Sequence, residues 1–326
     1  DQYDDRALAT QHIQVVFDDK GQEQSSHSLG LKVTLRALAW STRYADDFVV
    51  LDYSIVNDSP NELSDVYVGF WNDCTVGNTD VNNPYDSQAA QPWDYWDDKD
   101  GAYGAVGHVP QQYTVPSDPD IWMMWEHDDD GDEGMATSWI GNRLLGARPA
   151  VQPEQGMPPV SYHAWRFRGV PAEDSTYVDE DGEERPGKYQ LMSDGAFTVG
   201  ETQEENYAAA SNWVQMMATG PWPELAPGDT VFATFAVVCA ADSLELLANS
   251  RVAQLAYDEG FSLPGGPPSP VIDFQYDWDT VKIVWAPGDS VDAGGGELPV
   301  DDQRRQPEHH ISEVTNKPDF QGYRVY

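Results

Sequence analysis

Apolar and polar side chains alternate with a period of two along much of the chain, and this pattern constrains the fold more than any other feature. A strand directs successive side chains to opposite faces, so the alternation predicts strands with one buried face. Turn formers such as the Asn-Asp-Ser-Pro run at 57–60 separate these segments. The clearest predicted strands are residues 33–37, 49–55, 66–70, 162–167 and 231–238. Many strands without intervening helices predict a mainly β chain folded as an antiparallel β-sandwich.

One segment has helical periodicity instead. Asp242 can cap a helix, Glu245 follows three residues later, and Gly260 can end it. Between these signals the apolar side chains recur at helical spacing, at Leu244, Leu247, Ala248, Val252, Leu255 and Ala256. We expect one helix that packs against the sandwich.

A Pro/Gly-rich segment at 263–270 is the best candidate for a linker. It predicts a β-sandwich domain at residues 1–262 and a second region at 271–326. In that region, 271–276, 280–285 and 320–326 have strand character. Three strands are too few to close a sandwich and leave an exposed edge, so we expect either that further strands of this domain lie outside this sequence or that these strands pair with another molecule.

The charge balance excludes several partners. Acidic residues outnumber basic ones by 56 to 18, which gives a formal net charge of −38. Nucleic acid and anionic membrane surfaces both need Lys and Arg, so neither is an expected partner. No apolar run approaches the roughly 20 residues of a membrane-spanning helix. Bound cations can neutralise such a charge, and a high-salt habitat is the alternative explanation for it.

Several short segments resemble parts of large secreted multidomain bacterial surface proteins. The residues that carry the resemblance are 219–230, 257–261, 281–285 and 319–326, together with 67–73, 128–132 and 139–146. In such proteins a Pro-rich linker leads into a fibronectin type III-like domain. The resemblance therefore implies that 271–326 forms part of such an Ig-like β domain. It also implies an extracellular or cell-surface location, and assembly into filaments is a further hypothesis.

The sharpest candidate for chemistry is the acidic loop at 128–132. Asp128, Asp130 and Asp132 alternate around a glycine that lets the chain curl, and Ca²⁺ prefers six to eight such oxygen ligands. An EF-hand loop has glycine at its sixth position, where this chain has Glu133. The pattern therefore predicts a calcium site in a β-sheet loop, with Glu126 and Glu133 as further donors. The alternative is a solvated acidic turn.

Two other acidic segments were candidates of the same kind. The loop after Phe70 places five oxygen donors within a Gly/Asn/Pro-rich stretch, at Asp73, Asn78, Asp80, Asn82 and Asp86. Asn and Asp also favour turns without any metal, so a second calcium site and a plain turn are both open there. The acidic run at Asp97, Asp98 and Asp100 is interpreted as a solvent-exposed face.

Aromatic residues suggest another kind of surface. Trp93, Tyr95 and Trp96 lie in a polar stretch, where exposed rings could pack locally, bury in a subunit interface or stack on glycans. No motif of a zinc protease, serine hydrolase or phosphate-binding loop occurs, so we expect no enzyme. The sequence predicts a calcium-stabilised structural subunit that self-associates into a homo-oligomer or filament. A carbohydrate-binding or adhesive module is the alternative.

Overall fold

The computed structural model describes residues 7–20, 28–77, 98–103, 121–128, 136–151, 160–166, 177–178, 184–195, 210–263, 272–277 and 280–285. The chain divides into two compact units, Asp1–Phe261 and Ser262–Tyr326. Among the helices of the described part, none is long and apolar enough to cross a membrane.

A seven-stranded antiparallel sheet, here called the large sheet, forms one layer of the first unit. In chain order its strands are β1 (Gln11–Asp18), β2 (Leu31–Ala39), β3 (Phe48–Asn57), β5 (Asp98–Tyr103), β6 (Trp122–Asp128), β7 (Trp139–Arg148) and β12 (Thr230–Ala240). Across the sheet the order is β1-β2-β3-β12-β7-β6-β5. Among the described strands, the two at the edges of this sheet are therefore β1 and β5.

A three-stranded antiparallel sheet, the small sheet, forms the second layer. It consists of β4 (Leu63–Asn72), β8 (Val160–Arg166) and β11 (Trp213–Leu225), with β11 in the middle. The layers meet where the ring of Phe70 on β4 lies 4.9 Å, centroid to centroid, from that of Phe235 on β12. A cluster of Ile55, Trp222, Leu225 and Val231 continues this core. The predicted mainly β, antiparallel fold is confirmed.

Two short hairpins complete the described strands. The first unit contains β9 (Tyr177–Val178) paired with β10 (Glu184–Arg185). In the second unit β13 (Ile272–Asp277) pairs with β14 (Thr280–Trp285). Apart from Leu263, the predicted linker at 263–270 lies outside the described residues, as does the predicted strand at 320–326. The fibronectin type III-like character of the second unit stays a prediction.

A short helix, α1 (Lys188–Ser193), contacts the small sheet. The predicted packing helix is α2 (Ser243–Asp258), and the Asp242 carboxylate caps it by accepting from the amides of Leu244 and Glu245. It packs on the face of the large sheet that points away from the small sheet, where Arg143 donates to the Ser250 carbonyl at 2.8 Å. A β-carbon at Gly146 would lie 2.4 Å from the Tyr257 hydroxyl, so the glycine permits this close approach.

The predicted apolar stripe of this helix was only partly right. Leu244 is 59% exposed and Ala248 is also exposed. The buried side chains are Leu246, Leu247, Ser250, Ala253 and Ala256. The helix is thus rotated from the expected phase because small residues, Ser250 and Ala253, allow close packing on β7 and β12.

Candidate metal centre

Four acidic side chains meet on the two outermost strands at one end of the large sheet. β5 and β6 are antiparallel, with Asp98 opposite Asp128 and Asp100 opposite Glu126. Opposed residues of an antiparallel pair point to the same face, and residues two apart along a strand do so as well. Asp98, Asp100, Glu126 and Asp128 therefore share one face, and we refer to them as the carboxylate cluster. Their opposed β-carbons lie about 4.5–5.5 Å apart.

The carboxylate cluster faces the interior of the sandwich. Tyr162 on β8 donates its hydroxyl to Asp100 Oδ2 at 3.0 Å, which crosses from the small sheet to the large sheet. Gln215 on β11 donates to the Tyr162 hydroxyl at 3.0 Å and to the carbonyl of Trp125 at 2.9 Å. Asp98, Asp100 and Glu126 are 0% exposed, and Asp128 is 1% exposed. The acidic face is therefore a buried polar layer between the two sheets.

Backbone amides donate hydrogen bonds to Asp98 and Asp128, the outer pair of the carboxylate cluster. The amide of Val76 approaches both carboxylate oxygens of Asp98, at 3.3 and 3.4 Å. The amide of Ala136 donates to Asp128 Oδ2. These contacts fasten the chain that follows β4 and the chain that precedes β7 to the ends of β5 and β6. Asp98 and Asp128 thus have structural partners that hold them in place.

The inner pair, Asp100 and Glu126, is less completely hydrogen-bonded than the outer pair. Neither carboxylate oxygen of Glu126 accepts a hydrogen bond from any described residue, and the same holds for Asp100 Oδ1. No described cation forms an ion pair with Glu126 or Asp100. A buried ionised carboxylate without a partner costs several kcal/mol, so proteins protonate such groups or pair them with a cation.

The pKa values of the inner pair reflect this environment. Burial raises the pKa of Glu126 well above its usual range, and repulsion from Asp98, Asp100 and the nearby Asp73 raises it further. Burial also raises the pKa of Asp100 to about 7, although hydrogen bonds from Tyr162 and Gln215 oppose that rise. In the absence of a cation, burial therefore favours the protonated forms of both groups.

The donors around the cluster are suited to a hard cation. All four side chains offer oxygen, which Ca²⁺ and Mg²⁺ prefer. Burial raises the pKa of the neighbouring Cys74 thiol to about 12, so it stays protonated and is a poor metal ligand. The ring of His127 is also unsuited, because His127 alternates with Glu126 and Asp128 and its ring stacks on Trp139 at 4.0 Å.

The present side-chain positions would have to adjust to hold an ion. Within the described ranges, no three side chains of His, Cys, Asp or Glu already surround a common point at coordinating distance. Rotation of the Glu126 side chain, which has no hydrogen bond to break among the described residues, is the simplest adjustment. The fit to a cation thus rests on unpaired buried oxygens rather than on a preformed cage.

The structure brings together only part of the predicted calcium loop. Glu126 and Asp128 are in the carboxylate cluster, whereas Asp130, Asp132 and Glu133 lie outside the described residues. Glu126 lies within β6 and is fully buried rather than in the loop itself, and its role as a calcium donor stays a prediction. Asp128 is the last residue of that strand, so the acidic loop begins at the edge of the buried cluster.

The second predicted site contributes one residue to the surroundings of the cluster. Asp73 is exposed, and its charge acts on Glu126 from the end of β4. Asn78, Asp80, Asn82 and Asp86 lie outside the described residues, as do the aromatic candidates Trp93, Tyr95 and Trp96.

Sequence reasoning missed two members of the cluster. Asp98 and Asp100 were interpreted as a solvent-exposed run, but both are completely buried. A signal was present, because Asp98 and Asp100 have the spacing of two that places strand residues on one face, and Gly101, Ala102 and Tyr103 follow directly. What the local sequence does not contain is the pairing of this segment with β6.

No known protein-family model matches the chain, and no curated protein sequence matches it.

Proposed function

We propose that the chain is a structural, non-catalytic subunit of a secreted or cell-surface assembly, and that calcium bound at the carboxylate cluster stabilises its sandwich. The observation that supports the calcium site most strongly is the inner pair. Glu126 and Asp100 are opposite each other, fully buried, and together leave three carboxylate oxygens without a described hydrogen-bond donor.

A cation resolves the electrostatic cost that this arrangement creates. Four carboxylates within two residue pairs repel one another strongly in a buried environment. A divalent ion supplies two positive charges at the centre and uses the unpaired oxygens as ligands. Asp100 and Glu126 would bind it directly, and Asp98 and Asp128 would complete the negative charge around it.

Calcium suits the burial of the site better than magnesium. Mg²⁺ releases its water reluctantly and usually keeps several water ligands. Ca²⁺ exchanges water for protein oxygens more readily and accepts irregular geometry with six to eight ligands. A site in which the acidic residues are at most 1% exposed favours the ion that loses its water more easily.

The same burial supports a structural role over catalysis. An acid or base catalyst must contact its substrate, whereas the four carboxylates are closed off between the two sheets. An ion bound there would join β5 and β6 to each other and, through Tyr162, to the small sheet. The proposed consequence of binding is therefore rigidity of this end of the sandwich.

The test is thermal unfolding of the full chain after exhaustive chelation, with CaCl₂ or MgCl₂ added back. We expect the melting temperature to rise with calcium concentration, since an ion that binds only the folded state stabilises it by about 2.7 kcal/mol at 100 times its Kd. Magnesium at equal concentration should have a smaller effect. Equal melting in EDTA and in millimolar calcium, with no calcium in the purified protein, would contradict the proposal.

A further inference from the structure

Strand β1 is paired on only one side among the described strands. Its eight residues pair with β2 along their full length, from Gln11 opposite Ala39 to Asp18 opposite Lys32. On the other side, no described strand pairs with it. As far as the described residues go, the backbone groups that point outward along β1 can therefore pair with another strand.

The side chains of β1 are unusually apolar for such a position. Ile13 is 61% exposed, Val15 46%, Val16 53% and Phe17 50%. Exposed edges of natural sheets usually carry lysine, proline or a bulge that prevents pairing with another molecule. The sequence Gln-His-Ile-Gln-Val-Val-Phe-Asp contains no lysine, proline or glycine, and its register with β2 is continuous.

The opposite edge of the same sheet is not available in this way. On β5, Asp98 and Asp100 are 0% exposed and Ala102 is 1% exposed, backbone included. Addition of β1 from one copy to β5 of the next, which would build an open filament, is therefore blocked. A contact between two copies of β1 is closed by two-fold symmetry instead.

We propose that two copies of this chain associate by antiparallel pairing of their β1 strands, so that two large sheets become one continuous sheet. This inference rests on the proposed structural role and specifies the contact that such a subunit makes. A second copy is the occupant because β1 complements itself in both side-chain size and charge.

The register of this pairing follows from strand geometry. Outward-pointing backbone groups belong to every second residue, and directly opposed residues in an antiparallel pair must both point outward or both point inward. The numbers of two opposed residues must therefore add up to an even sum. A sum of 30 places Val15 opposite its own copy, Ile13 opposite Phe17, and His12 opposite Asp18.

This register places apolar side chains opposite apolar side chains and the imidazole of His12 opposite the carboxylate of Asp18. Ile13, Val15 and Phe17 of the two copies form one apolar ridge, and cross-strand pairs of this kind contribute about 0.2–1 kcal/mol each. His12 and Asp18 meet at both ends of the paired segment. A shift of two residues loses these matches, since it would place Phe17 opposite Gln11 or leave His12 unpaired.

Charge also favours this edge as the place of contact. Two chains that each carry a formal charge of −38 repel each other over most of their surfaces. Asp18 is the only acidic residue in β1, and β2 beside it carries Lys32 and Arg36 with no acidic residue. Added salt screens the remaining repulsion, so we expect dimerisation to strengthen as the NaCl concentration rises.

Single cysteines test the contact and its register. In a Cys239→Ser background, which removes the exposed native thiol, Val15→Cys should give a covalent dimer on mild oxidation with copper phenanthroline. Ile13→Cys is the matched control, because its two copies would lie about 13 Å apart along the strands. Ile13→Cys should form a covalent dimer only when mixed with Phe17→Cys. Equal dimer formation by Val15→Cys and Ile13→Cys alone, or none by either, would overturn the proposal.

Sedimentation equilibrium provides an independent measurement without crosslinking. Val15→Lys places two like charges opposite each other and should weaken dimerisation at least tenfold. Leu244→Lys changes an apolar residue on α2 that is even more exposed, at 59% against 46% for Val15, and should leave dimerisation unchanged. A strictly monomeric chain at all protein and salt concentrations would overturn the β1 contact. It would leave the calcium site, which melting tests separately, unaffected.

Discussion

Asp100 and Glu126 lie directly opposite each other on β5 and β6, fully buried, with three of their four carboxylate oxygens lacking a described hydrogen-bond donor. Most buried polar groups in folded proteins have a partner, so three unsatisfied carboxylate oxygens in one pair need a physical explanation. Calcium binding supplies one, and it makes predictions that differ from those of a merely strained core.

Replacing Glu126 with Gln removes one ionisable group from the inner pair while keeping a side chain of the same size and shape. In metal-free protein the change should leave the free energy of unfolding unchanged or raise it, because it removes repulsion from Asp98 and Asp100. It should also weaken calcium binding by about tenfold or more, which corresponds to about 1.4 kcal/mol. Urea unfolding with EDTA and with calcium measures both effects.

Glu224→Gln is the control for that substitution, since Glu224 is exposed at the far end of β11. It should alter neither metal-free stability nor the response to calcium. If Glu126→Gln instead destabilised the metal-free protein and preserved the calcium response, the assignment of Glu126 as a ligand would be wrong.

The free energy of unfolding of the metal-free protein should decrease as the pH rises, because the pKa values of Asp100 and Glu126 are raised in the folded state. Burial raises the pKa of Asp100 to about 7 in the folded chain, whereas an aspartate in an unfolded chain has a pKa of about 4. Because the pKa of Asp100 is higher in the folded than in the unfolded chain, protonation of Asp100 favours the folded state. This contribution to the free energy of unfolding is complete below about pH 4. That contribution is lost as the pH rises through about 7.

Calcium should reverse this trend, because the ion displaces the protons of the inner pair. The difference in melting temperature with and without calcium should therefore grow between pH 5 and pH 8. Melting curves across that range test both statements. A calcium effect that is constant with pH would show that the ion binds at groups with ordinary pKa values.

Tyr162 connects the small sheet to the cluster through a single hydroxyl. Tyr162→Phe removes the hydrogen bond to Asp100 Oδ2 and should cost about 0.5–1.5 kcal/mol in calcium-bound protein. Because that hydrogen bond lowers the pKa of Asp100, its loss should move the pH dependence of calcium stabilisation upward. Tyr53→Phe is the matched control, since no described residue bonds to its hydroxyl and it lies away from the cluster on β3. Equal pH profiles for the two variants would contradict the role given to Tyr162.

The cap of α2 offers a test of the fold that is independent of metal. Asp242→Ala removes the acceptor for the amides of Leu244 and Glu245 and should cost about 1 kcal/mol. Asp242→Asn keeps an acceptor and should cost much less. Urea unfolding in EDTA distinguishes the variants, and equal stability of both with the unsubstituted chain would mean that the cap contributes nothing.

The sequence predicts strands well here because alternation is a local signal with a direct physical cause. Residues 49–55 and 231–238 alternate, and they are neighbouring strands of the large sheet. The phase of α2 was harder to predict, because Ser250 and Ala253 are buried for their small size rather than for their hydrophobicity.

The candidate site could be predicted from the sequence only in part, because it depends on contacts between distant parts of the chain. Acidic residues are usually solvent-exposed, so the run at Asp98 and Asp100 was interpreted as a surface. Its burial depends on pairing with Glu126 and Asp128, which are more than 25 residues away in the chain. Only half of the cluster, Glu126 and Asp128, was therefore among the calcium donors predicted from the sequence, and the burial of Glu126 within β6 was not predicted.

Calorimetric titration of chelated protein with calcium tests the central claim most directly, with runs in two buffers of different ionisation heat at pH 7. We predict saturable binding together with proton release, because Asp100 and Glu126 must lose their protons to accept the ion. Glu126→Gln should weaken the binding and release fewer protons, whereas Glu224→Gln should behave like the unsubstituted chain. No binding, or binding that releases no protons and is unchanged in Glu126→Gln, would contradict a calcium site between β5 and β6.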